Sequence, residues 1–117
     1  MLKKLTPTLS MVALLLLSAC ATKPQSDVDT PEYHYKAGMR AIDNNDYQQA
    51  VKSFQRSVDL DSKFALGFGG LGLANAKMGN NKEAKNYADK CASKGSKDPD
   101  ALALSGRIWI NMRDSEK

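Results

Sequence analysis

The chain is poor in residues that do chemistry. Among 117 residues there are one histidine, His34, two cysteines, Cys20 and Cys91, and one tryptophan, Trp109. A hydrolase needs a nucleophile and an orienting group placed around its base, and nothing beside His34 nominates either. No set of His, Cys, Asp and Glu has zinc or calcium spacing, so neither a metal nor a cofactor is expected. Gly67, Gly69, Gly70 and Gly72 crowd into one stretch. A phosphate loop would need a Gly-Lys-Ser/Thr ending, and a dinucleotide fingerprint a preceding strand; neither accompanies them. An excess of one charge is also missing. The formal charge is +4, but Lys3 and Lys4 lie in the leading segment, and from Cys20 onward fifteen basic residues are interleaved with thirteen acidic ones. That balance gives no support to a nucleic acid partner. Nor is there a long hydrophobic run: the nine residues Leu9 to Leu17 fall short of the ~20 needed to cross a bilayer core as a helix.

What the leading segment does have is export grammar. Met1 to Lys4 form a positive start, Leu9 to Leu17 an apolar core, and Ser18 and Ala19 a small-residue cleavage site. The residues Leu17-Ser18-Ala19-Cys20 resemble the lipobox of bacterial lipoproteins. The resemblance implies a signal peptide over residues 1–19, a diacylglycerol on the Cys20 sulfur and cleavage just before it. Each buried acyl methylene adds about 0.8 kcal/mol, and stable anchoring takes two signals, which two or three chains supply. Ala21, where an aspartate would retain the protein at the inner membrane, implies an outer-membrane site facing the periplasm. Residues 20–29 are polar after Cys20 and lack periodicity, so they read as a lipidated N-terminus and flexible tether, reaching about 18 Å on average. With Cys20 acylated, Cys91 is expected as a buried small hydrophobe, or as a thiol able to link two copies.

Self-similarity organises the rest. Gly38, Gly72 and Gly106 are spaced 34 residues apart, and the same step relates Ala50 to Ala84, Asp46 to Asn80 and Asp114, and Ser57 to Cys91. Pro31 and Pro99 stand two steps apart. Thr30-Pro31-Glu32 and Asp98-Pro99-Asp100 are helix starts, each with a cap, a proline whose missing N–H costs nothing, and a carboxylate at the positive helix end. Asp46 with Gln49 and Asn80 with Glu83 read as capping boxes that open a second helix in each unit. Tyr33, Ala37, Gly38 and Ala41 form an apolar face on the first helix, and Tyr47, Ala50, Val51, Phe54 and Val58 one on the second. An antiparallel helix pair follows, its backbones brought close by Gly38 and Ala50 and the remaining space filled by Phe54 and Tyr47. The glycine-rich first helix of the second unit should be the least stable, since each interior glycine costs about 1 kcal/mol relative to alanine.

These positions resemble the tetratricopeptide repeat. The first unit carries His34, Ala37-Gly38, Ala41, Ala50 and Phe54; the second, Phe68, Leu71-Gly72, Asn75, Ala84 and Ala88; the third, Leu102, Ser105-Gly106 and Trp109. His34 replaces a large aromatic, Ser62 the usual closing proline, and Ala88 the counterpart of Phe54. The fold implied is an all-α helical solenoid over residues 30–117, with two helix-turn-helix repeats at about 31–64 and 65–98 and a half repeat at 99–117. The half repeat should form a capping helix that leaves Ile108 and Trp109 partly exposed.

By the same resemblance, a concave partner-binding face falls on Tyr35, Met39 and Ile42, then Gly69, Gly70, Leu73 and Ala76, then Ala103, Leu104, Arg107 and Ile110. The adjacent glycines are expected to leave a backbone groove for a peptide side chain or helix, and Met39 to adapt to the guest. The lysines and asparagines by which chaperone-binding members grip acidic tails are missing, so apolar or helical partner segments are expected. The function implied is a membrane-anchored, non-enzymatic adaptor in a bacterial envelope assembly, such as a type IV pilus or secretion machine, with a homo-oligomer possible. The competing reading is a module acting on cell-wall material or on a cell-wall enzyme.

Overall fold

The computed structural model describes residues 28–117. The export segment, Cys20 and most of the tether lie outside the described residues. Among the described residues five α-helices follow one another: α1 (Pro31–Asp43), α2 (Tyr47–Leu60), α3 (Ala65–Lys77), α4 (Asn81–Lys94) and α5 (Pro99–Ser115). The expected all-α solenoid is observed, with α1–α2 and α3–α4 as hairpins and α5 packed on the second.

Local chemistry accounts for the boundaries. Thr30 Oγ1 accepts from the Tyr33 N–H at 3.2 Å, Asp46 Oδ1 from the Gln49 N–H at 3.1 Å, and Asp98 Oδ1 from the Asp100 N–H at 3.0 Å. The two hairpin turns are equivalent. Asn45 and Gly79, one repeat apart, both have positive φ (58° and 80°), the left-handed conformation that Asn and Gly tolerate best. The next residue's N–H then reaches back five positions, Asp46 to the Ala41 carbonyl and Asn80 to the Asn75 carbonyl, each at 2.9 Å. This geometry corrects the capping-box expectation. Because those backbone bonds consume the cap N–H groups, neither Gln49 nor Glu83 is needed to return a bond. The Gln49 amide donates to Ser53 instead, and the Asn80 side chain turns to Asn75 and caps nothing.

The helix α3 is the centre of the packing, in contact with all four others. The core is built largely of alanines and glycines around few large side chains, of which Phe54, Leu71, Leu73 and Ile108 are fully buried. Phe54 of α2 lies between Gly38 of α1 and Gly70 of α3; a Cβ on either glycine would come under 3.0 Å from its ring. The interior glycines of α3 are thus points of close approach, and the cost expected of them is offset by what packs against them. Ile108, expected to be partly exposed, is 0% exposed because it covers Gly72, whereas Trp109 is 43% exposed. Tyr33, assigned to the apolar face of α1, is also largely exposed.

Polar bonds tie the stack together. The Ser57 hydroxyl donates to the Pro31 carbonyl at 2.8 Å and Ser105 to the Ala88 carbonyl at 3.0 Å. Asp29 accepts from both His34 Nε2, at 2.8 Å, and Arg56, holding the entry of α1 against α2. Cys91 is buried, as expected, and directs its thiol to the Ala101 carbonyl at 3.3 Å.

Candidate functional site

The helices α1, α3 and α5 stand side by side and share one side of the molecule, taken as the inner one. There a cleft of about 320 Å³ is lined by Tyr35 and Met39 of α1, Leu66 of α3, and Asp100, Ala103, Leu104 and Arg107 of α5. Its walls are anchored from behind. The Tyr35 ring packs against Phe54 and Phe64 at centroid distances of 5.9 and 6.0 Å, so its orientation is set by the core, and partial burial raises its phenol pKa above the ordinary value. Leu104 reaches across to cover Gly69. Asp100 and Arg107 are seven residues, or two turns, apart on one face of α5, so the apolar middle of the cleft is bracketed by one negative and one positive side chain. Such a surface offers an apolar segment a place to lie and gives it two charges to align against.

The cleft brings together five of the residues expected on the concave face: Tyr35, Met39, Ala103, Leu104 and Arg107. The others go elsewhere. Ile42, Leu73 and Ala76 are buried in the core. The backbone groove expected at Gly69 and Gly70 does not exist, because the space above Gly69 is occupied by Leu104 and Cys91 and that above Gly70 by Phe54. At these two positions the neighbouring helices leave α3 no free floor, and it reaches the cleft only through Leu66. Ile110, 55% exposed, lines a different hollow with Trp109 and Arg113. Sequence reasoning missed Leu66 and Asp100. Their signal was the repeat itself: they stand three residues before Gly69 and Ala103, so the inner stripe continues one turn toward each helix N-terminus.

Cys91 offers no reactive alternative. Burial pushes its thiol up to about 11, so it stays protonated and a poor nucleophile near neutral pH.

A family model described as the tetratricopeptide repeat matches residues 31–64 and 68–93, just over half of the chain. No curated protein and no solved structure matches.

Proposed function

The chain belongs to the tetratricopeptide repeat family, whose helical hairpins serve as protein–protein interaction modules and indicate no catalytic family, and on that premise we propose that it is a lipid-anchored adaptor of the bacterial envelope. In this reading Cys20 carries the lipid, the outer membrane is the anchoring site, and the repeats stand in the periplasm, close to the headgroups, at the end of a short tether. Pilus and secretion machines are the kind of assembly such an adaptor would serve.

The observation that carries the binding half of the proposal is the inner cleft, with Tyr35, Met39, Leu66 and Leu104 as apolar walls and Asp100 and Arg107 at its edges. An apolar or helical partner segment fits this chemistry better than an acidic tail, since the cleft holds one carboxylate for its one guanidinium. Met39 has the flexibility to follow different side chains. The lipid half is supported by the Leu17-Ser18-Ala19-Cys20 sequence.

Two experiments in cells test the two halves. A photo-reactive residue in place of Met39 should give a discrete crosslinked protein band that Arg107→Glu weakens, and absence of any band would count against the cleft. Metabolic labelling with palmitate should mark the parent and not Cys20→Ala, which should also leave the membrane fraction; an unlabelled parent would remove the anchor.

A further inference from the structure

The inner cleft uses one side of α5, and the opposite side is unpartnered among the described residues. Leu102, Gly106 and Trp109 fall on one face at intervals of four and three residues. Leu102 is 46% exposed, and a Cβ added at Gly106 would meet nothing within 4 Å. One and two repeats earlier the same positions are covered: Gly72 by Ile108 and Tyr87, and Gly38 by the ring of Phe54 on α2, the second helix of its own hairpin. A glycine inside a helix is destabilising relative to alanine. At Gly38 the close approach of Phe54 explains that cost, whereas at Gly106 no described residue does.

The surroundings of this face say what would cover it. Lys82, Lys85 and Arg113 line, with Trp109, a cleft of about 350 Å³ in which Glu116 is the one carboxylate. Lys85 Nζ stands 5.9 Å over the Trp109 ring. The imbalance extends along the chain: from Ala65 onward there are nine basic and six acidic residues, against five and six from Val28 to Phe64. A second copy pairing through this face would set like charges against each other.

We infer that the outer face of α5 is a second docking surface, and that its occupant is an acidic amphipathic helix of a partner protein, seated on α5 as α2 is seated on α1. A large apolar side chain of that helix enters over Gly106, and its flanking carboxylates meet Lys82, Lys85 and Arg113. The inference stands on the hairpin geometry and needs neither the lipid anchor nor the inner cleft.

Trp109 is the single tryptophan, so its emission reports on this face. The probe is a synthetic peptide with the sequence of residues 47–60 carrying Lys52→Glu and Arg56→Glu, both exposed positions of α2. Titrated into the full-length chain, it should shift Trp109 emission to shorter wavelength and saturate. The same peptide with Phe54→Ala should bind about tenfold more weakly, the loss of one buried anchor. In the protein, Gly106→Leu should abolish binding while leaving helical circular dichroism intact and the melting temperature no lower than the parent's. Lys85→Glu with Arg113→Glu, which leaves the helix core untouched, should weaken binding about tenfold. Photo-crosslinking from Met39 should be unchanged by Gly106→Leu, which separates this surface from the inner cleft. An emission spectrum indifferent to the peptide would overturn the inference, as would full binding by Gly106→Leu. So would a shift that appears on self-association alone, or with phosphatidylglycerol vesicles and no peptide.

Discussion

Between the first hairpin and α3, the space is filled from α2: Phe54 is large, and the residue facing it, Gly70, has no side chain. Between the second hairpin and α5 the volumes are exchanged. One repeat after Phe54 stands Ala88, fully buried, and one repeat after Gly70 stands Leu104, which reaches back over Gly69. The same interface is therefore filled once by the second helix of the hairpin and once by the helix that follows. The repeat preserves the total volume to be packed and leaves open which side supplies it, as expected where cores tolerate substitution that keeps volume and pattern.

The comparison can be broken most severely at its one buried ring. Phe54→Ala should destabilise the fold by about 3–5 kcal/mol, because it empties the space between two glycines that cannot fill it; a urea midpoint close to the parent's would show the ring to be dispensable. A sharper test transplants the first solution into the second interface. Ala88→Phe alone should cost about 1–3 kcal/mol by overpacking a site that is already fully buried. Adding Leu104→Gly should recover part of that loss, so that the double variant is more stable than the two single losses summed. Strict additivity would refute the volume exchange.

Smaller effects separate the closed repeats from the open end. Gly106→Ala should be neutral or stabilising by up to about 1 kcal/mol, since its Cβ meets open space, whereas Gly70→Ala should destabilise because its Cβ meets the Phe54 ring. Thermal melts of the two variants should move in opposite directions, and a shared direction would remove the distinction. The smallest effect belongs to the staple at the entry of the first hairpin, which has no equivalent in the second. Arg56 and then His34, both bonded to Asp29, lower its carboxyl from 3.8 to about 2. A lowered folded-state pKa means that Asp29's contribution is complete above about pH 4 and is lost as pH falls toward 2. The melting temperatures of the parent and Asp29→Asn should converge over that interval, and a constant difference would assign the effect to another group.

Much of the architecture was legible because it is written locally. The 34-residue step, the Thr30-Pro31 and Asp98-Pro99 starts and the apolar spacing on α2 are each satisfied within a few residues of chain, and all appear as helix boundaries or buried faces. The inner cleft was half legible. Period and face place Tyr35, Met39, Ala103, Leu104 and Arg107 on the inner side, but the same rule placed Gly69 and Gly70 there, and they are covered. Of the two capping boxes only the Asp46 cap on the Gln49 N–H formed, for a similar reason: the left-handed turns at Asn45 and Gly79 let backbone carbonyls take the donors that Gln49 and Glu83 would have met.

The order of residues alone determined that this chain forms stacked helical hairpins with a single extra helix, since periodicity, caps and turns are properties of a chain and its nearest neighbours. Only the tertiary structure decided which side chain fills each glycine, that Ile108 points inward while Trp109 and Ile110 do not, and that Gly106 faces open space. Those outcomes depend on which helix approaches from elsewhere in the chain, and a repeat that conserves summed volume does not record from which side it comes.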